Sequence, residues 1–280
     1  MPLELGTTAA IGFDDLPPEQ LLPLYRQLGC TSVQIHRNTQ REVALDELRR
    51  ALQIGGLPCD SLHGIFGGGC DPSASDEDCR RAAVATYQSE GRLCCELGGR
   101  LVVVHPSALC PEGLSPAQRD ERWAQLARSV QELGEFGRQI GVRYAFENLP
   151  AGYAVGTSVS ELGGFLVKLG VPFTGLCLDT GHAHLTDTPA GNAAAVAAAA
   201  TQLAYVHFND NDGLADTHDM PTTGSLDCPA VMRSLSQARY QGIVMLEVFY
   251  QPEALRQLID QGLAARLAAL LRLAQKRDDR

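Results

Sequence analysis

Basic side chains are scarce in this sequence, and lysine is nearly absent: only Lys168 and Lys276 occur. Lys168 lies in an amphipathic helical stretch and Lys276 in a charged tail. Schiff-base aldolases and pyridoxal enzymes need a buried lysine amine, so the sequence argues against both. Acidic residues outnumber basic ones by 33 to 23, for a net charge of −10. That balance argues against duplex nucleic acid and against an anionic membrane surface as partners, since both select basic faces. No apolar run reaches roughly 18 residues, the length a spanning helix needs. The opening MPLELGTTAAIGFDD lacks the basic start and apolar stretch of a secretory leader, so a cytoplasmic protein is expected. The nine cysteines include no C-x-x-C pair, and free thiols in a reducing compartment are expected. Also missing are a Walker motif, a G-x-S-x-G elbow and a G-x-G-x-x-G turn after the first strand, where GFDDLPPE stands instead. Gly67–Gly69 leads into no helix and reads as a loop rather than a phosphate cradle.

What is present is an ordinary globular composition, 45% apolar and 20% charged over 280 residues. Short β-rich runs recur: AAIGF (9–13), SVQIH (32–36), DSLHGIF (60–66), RLVVVH (100–105), VRYAFE (142–147), TGLCLD (174–179), LAYVHF (203–208) and GIVMLE (242–247). Several are near-continuous Val/Ile/Leu runs, the mark of parallel strands buried on both faces. Helical patterns lie between them, starting at PEQLLPLYRQLG and ending at PEALRQLIDQGLAARLAALLRLAQK. They include the alanine run at 193–200, alanine being the best helix former. Ser115 or Ser160 is expected to cap a helix. Eight strands alternating with eight helices predict a single (β/α)8 barrel over residues 1–280.

The strand ends carry the chemistry. Strand three holds His63, strand four ends at His105 and strand five at Glu147. Strand six ends at Asp179, followed by His182. Strand seven holds His207, with Asp210, Asp216 and His218 after it, and strand eight ends at Glu247. In a parallel barrel these positions share the C-terminal rim, where active sites sit. One histidine at a strand end is most often a hydrogen-bonded core residue. Repetition at the same end of successive strands is the informative observation. Glu147, Asp179, Asp216 and Glu247 would repel one another unless cations neutralise them, with imidazoles completing the shells. Asp210 is expected to orient His207. His36 and Arg37 at the end of strand two, with Phe66, Tyr153 and His182, are candidate substrate contacts. Phe249 and Tyr250 extend the aromatic wall, and Phe208 reads equally as packing. His184 is expected to cap the next turn.

The segments LHGIF, VVVHP, FENLP, LDTGHAH, YVHFNDNDG, DTHDMPTTGSLD and VMLEV, taken in order, resemble the xylose isomerase-like TIM barrels. That superfamily includes ketose epimerases, hydroxypyruvate isomerases, inosose dehydratases and endonuclease IV phosphodiesterases. In the isomerase branch, the resemblance implies that Glu147, Asp179, His207 and Glu247 bind one manganese, magnesium or cobalt ion. Glu147 and Glu247 would then exchange the proton alpha to a substrate carbonyl, and His182 would hold a hydroxyl. The arginine that epimerases often carry six residues after the strand-seven histidine is Gly213 here. In the endonuclease IV branch, the resemblance implies a trinuclear site, zinc or manganese, suited to phosphoester hydrolysis. Its nine ligands would be His63, His105, Glu147, Asp179, His182, His207, Asp216, His218 and Glu247. The rim loops are acidic (Asp14, Asp15, Asp71, Asp76, Glu77, Asp78, Asp187, Asp212, Asp219), with Arg37 and Arg41 as the clear basic groups, so duplex DNA is a poor partner.

The expected protein is therefore a metal-dependent isomerase or epimerase of a small carbohydrate-like substrate, needing no organic cofactor. The alternative is a di- or trinuclear phosphoesterase acting on a small substrate, and the third reading a catalytically silent sugar-binding or scaffold barrel. Association into homo-oligomers is in keeping with such barrels.

Overall fold

The structure, a computed structural model, describes residues 3–186, 190–192, 194 and 203–275. Eight parallel strands close into a barrel in chain order. They are β1 (Glu4–Ile11), β2 (Cys30–Arg37), β3 (Cys59–His63), β4 (Leu101–Val104), β5 (Arg143–Glu147), β6 (Thr174–Asp179), β7 (Leu203–Phe208) and β8 (Ile243–Leu246). Around them lie α1 (Pro18–Gln27), α2 (Leu45–Gly55), α3 (Glu77–Glu96), α4 (Pro116–Ile140), α5 (Val159–Leu169), α6 (Thr180–Thr186), α7 (Cys228–Gln237), α8 (Pro252–Asp260) and α9 (Leu263–Gln275). The expected barrel class is the observed one.

Local chemistry sets the helix ends. Ser115 and Gln118 form a reciprocal capping box at the start of α4. Asp76 caps α3 and Asp227 caps α7. At α5 the cap is Ser158, which accepts from the Glu161 amide; Ser160, the expected cap, lies inside the helix. The long C-terminal helical pattern breaks in two at Gly262, which takes a φ of 83°. The short α6, which follows β6 directly, has no counterpart in the sequence reading. Apart from Ala194, the alanine run 193–200 lies outside the described residues. The first strand begins five residues earlier than expected, because Gly6, Thr7 and Thr8 pair with Ser32, Val33 and Gln34 of β2.

Strand parity divides the core. One face of each strand packs under the helices in a large apolar layer that includes Leu62, Val102, Phe146, Leu178, Val206 and Phe208. Phe208 is thus packing rather than site wall. The other face points into the barrel, where Leu101, Val103, Ala145, Cys177, Tyr205 and Met245 interlock as a plug. Tyr205 anchors this plug: its hydroxyl lies 2.6 Å from Ser61 Oγ and 2.8 Å from Asp60 Oδ2. Directly above the plug, toward the C-terminal rim, the same inward parity brings His63, His105, Glu147, Asp179, His207 and Glu247 together.

Candidate metal centre

Three sets of ligand atoms gather at this rim, each set with its atoms within 4.8 Å of one another. The first is His63, His105 and Glu147. The second is Glu147, Asp179, His207 and Glu247. The third is His182, Asp216 and His218. Glu147 belongs to two sets and stands between them. A fourth set joins His36 to His63 and Glu247.

The backbone aims three of these imidazoles. Nδ1 of His63 donates to the Gly64 carbonyl at 2.9 Å, that of His182 to the Asn148 carbonyl at 2.8 Å, and that of His218 to the Glu247 carbonyl at 3.0 Å. With Nδ1 occupied, each ring turns Nε2 toward the carboxylates. His63 Nε2 is 3.6 Å from Glu147 Oε2, and His105 Nε2 is 3.5 Å from the same oxygen. His182 Nε2 is 3.2 Å from Asp216 Oδ2, and His218 Nε2 is 3.5 Å from Asp216 Oδ1. His207 presents Nδ1 instead, 3.0 Å from Glu147 Oε1 and 2.8 Å from Glu247 Oε2. His218 reaches its place through a left-handed backbone, with a φ of 48°.

The electrostatics follow from crowding without water. Glu147 is 1% exposed and Asp179 and His207 are fully buried. Burial opposes charge on Glu147, but His207, His105 and His63 hold its carboxyl well below the usual range. Burial above all pushes Asp179 up to about 6, with Glu147 and Glu247 adding to the rise and His182 opposing it. Burial lowers His182 and His218, yet the carboxylates around them win and raise both to about 10. Burial takes His36 down to about 3 and also lowers His105.

These residues fit divalent cations. Five imidazoles and four carboxylates form a mixed nitrogen and oxygen donor set of the kind zinc, manganese and cobalt prefer. Glu147 Oε2 is buried without a hydrogen-bond partner, and so is Glu247 Oε2, which lies beside His207 Nδ1 but out of line for a bond. Buried carboxylate oxygens left in this state are costly unless a cation takes them.

The comparisons with known proteins agree with this architecture. A family model described as xylose isomerase-like TIM barrel matches residues 22–270. The chain belongs to that family. A curated relative, the rhizopine catabolism protein MocC of Rhizobium meliloti, is 25% identical over 265 residues, 85% of this chain and 76% of that protein. The uncharacterized protein MJ1311 of Methanocaldococcus jannaschii is 25% identical over 178 residues. That match spans 63% of this chain and 60% of the relative. Among solved structures, 3-keto-D-glucoside 4-epimerase YcjR from E. coli superposes with a TM-score of 0.73 at 19% identity, covering 95% of this chain and 99% of that one. D-allulose 3-epimerase from Methylomonas sp. gives 0.75 at 18% identity, covering 97% and 96%. At these identities the likeness is one of fold.

Within this xylose isomerase-like barrel, two sequence expectations need correction. Asp210 does not orient His207. Its carboxylate accepts from the amides of Asn211, Thr222, Gly224 and Leu226, at 2.9–3.1 Å, and so folds the loop after β7 upon itself. It lies one residue off the inward parity of His207, which decides the matter. Arg37 is no free substrate contact: it pairs with Glu90 of α3, and both side chains are largely buried. Arg41 is likewise paired, with Glu47. His36 packs its ring against His63, Phe66 and Phe249. Phe66 stacks on His105 at 4.3 Å, and Tyr153 meets the same ring edge-on at 6.0 Å. His184 bonds Ser225 Oγ.

Sequence reasoning missed three buried asparagines that brace the candidate ligands and the elements carrying them. Asn148 bridges β5 to β6 through the Asp179 backbone. Asn209 donates to Asp179 Oδ2 at 2.7 Å, and Asn211 to the Gly181 carbonyl. Their signal was position, since each follows a ligand by one, two or four residues. Gly181 is equally specified: a Cβ there would lie 1.9 Å from Asn209 Oδ1.

Proposed function

We propose that this protein is a divalent-metal-dependent isomerase or epimerase of a small polyhydroxylated carbonyl compound. One observation carries the reading: Glu147 and Glu247 converge with Asp179 and His207 on one buried centre. A cation held by these four would polarise a substrate carbonyl and its neighbouring hydroxyl. The chain's own residues supply the rest. Glu147 and Glu247 both reach His207 Nδ1, at 3.0 and 2.8 Å, so two carboxylates flank one centre, and one can take the alpha proton while the other returns it. Asn209 holds Asp179, and Asn148 holds His182 in place to meet a hydroxyl. Phe66 and Tyr153 flank the His105 ring and would shield the centre on that side. Arg37 and Arg41 each already carry a carboxylate partner from within the chain, which favours an unphosphorylated substrate. The epimerase activities named for YcjR and the Methylomonas enzyme point the same way. A cytoplasmic location and homo-oligomeric assembly belong to this reading.

A second reading, a multinuclear phosphoesterase of a small substrate, is favoured by a separate observation. His63, His105, Asp216 and His218 complete two further ligand sets that a single ion does not use. Two experiments separate the readings. Deuterium wash-in from heavy water into ketoses, lost in Glu147→Gln, supports isomerisation. Nitrophenol release from an aryl phosphodiester, lost in Glu147→Gln and His218→Ala, supports hydrolysis. Metal analysis giving about one ion favours the first and two or three ions the second. A protein that binds no ion under any loading is the silent barrel.

A further inference from the structure

We propose that His36 is a metal ligand, and that with His63 and Glu247 it forms an alternative seat for the cation that His63, His105 and Glu147 would hold. This inference rests on the second reading above, in which a cation fills the set of His63, His105 and Glu147 besides the one held by Glu147, Asp179, His207 and Glu247, and deepens it.

The geometry has three parts. First, His63 is a pivot. Its Nδ1 is spent on the Gly64 carbonyl, so Nε2 is its single ligating atom. That atom lies 3.6 Å from Glu147 Oε2 and also 3.6 Å from Glu247 Oε1. It is equally near both carboxylates, and as one nitrogen it can join only one set at a time. Second, each set offers another imidazole. His105 stands beside Glu147, and His36 stands beside Glu247, with its ligand atom within 4.8 Å of those of His63 and Glu247. Nδ1 of His36 is buried and has no hydrogen-bond partner. An imidazole nitrogen in that state lacks the polar contact that burial demands. Third, the ring is held. Phe13, Phe66 and Phe249 lie 5.9, 5.9 and 5.4 Å from it, and His63 lies at 5.1 Å. Its register partner on β1 is Ala10, whose short side chain leaves the inward space to the imidazole. Two imidazoles and a carboxylate form an ordinary three-residue shell for zinc or cobalt.

Mutual exclusion gives a distinctive test. The full chain is stripped with a chelator, loaded with cobalt(II), and its bound cobalt counted by mass spectrometry after desalting. Visible absorption reports the ligand field in parallel. Wild type, His36→Gln, His105→Gln and the double variant are compared, with thermal melts to establish folding. Each single variant should keep the wild-type cobalt count, because the other seat remains. The double variant should lose one equivalent, and the His105→Gln spectrum should differ from wild type as the shell changes sides. Loss of an equivalent in either single variant overturns the proposal, and so does an unchanged count in the double variant. If the double variant does not fold, His105→Gln alone decides: a retained count supports the His36 seat and a lost equivalent refutes it. A wild type that takes up no cobalt refutes the metal reading itself, an outcome distinct from failure of the seat.

Discussion

Metal loading should expel protons, and the number can be worked from the rim. His182 and His218 are both raised to about 10 by the carboxylates around them. At pH 7.5 both imidazoles therefore carry a proton in the metal-free protein. A ligating nitrogen must give it up. Each deprotonation costs roughly 3 kcal/mol at that pH, at about 1.4 kcal/mol per unit. Filling the set of His182, Asp216 and His218 should then release about two protons, and its affinity should rise about 100-fold per pH unit up to pH 10. The sign for stability runs the other way without metal. Raised imidazoles contribute stability that is complete below the unfolded value of about 6.5 and is lost as pH climbs through about 10. Chelator-treated protein should lose melting temperature over that window, and zinc-loaded protein should hold it. Proton release is measured with an indicator dye in weak buffer, and affinity by competition with a chelator at several pH values. His218→Gln should release about one proton fewer. A flat affinity, or release well under one proton per ion, would refute the charge assignment.

Three further outcomes follow from named contacts. Glu147→Gln removes the carboxylate shared by two ligand sets, and the rate of the correct substrate should fall at least about 100-fold in a steady-state assay. Asp210→Ala strands four loop amides, and urea unfolding should show a loss of roughly 4 kcal/mol with the rim loop more open to proteolysis. Gly181→Ala drives a methyl into Asn209, so metal content should drop while β6, packed below, keeps its circular dichroism signal.

The barrel was readable because short apolar segments recur between helical patterns, and two of them, β4 (LVVV) and β8 (IVML), are continuous runs that only a sheet covered on both faces would bury. The first strand was harder. Within Glu4–Ile11, Gly6 and Thr7 gain their strand character from pairing with β2 and β8, partners distant in the chain. Six of the candidate ligands were legible because His63, His105, Glu147, Asp179, His207 and Glu247 fall on the inward parity at or just past a strand end, while His182, Asp216 and His218 follow in helix or loop. Their division into sets was not, since it depends on barrel stagger and on the backbone carbonyls that turn His63, His182 and His218. The same limit explains Arg37. Its neutralisation by Glu90 joins residues 53 apart in sequence, and no local pattern announces it. Asp210 was assigned by closeness along the chain, whereas its side chain faces the loop.

The interlocked plug formed by Leu101, Val103, Ala145, Cys177, Tyr205 and Met245 makes the chamber above it a blind well. Whatever enters past Phe66 and Tyr153 leaves by the same doorway, because among the described residues this plug fills the barrel beneath. Occupancy is then strictly sequential: a departing product blocks the next arrival, so inhibition by product should be competitive.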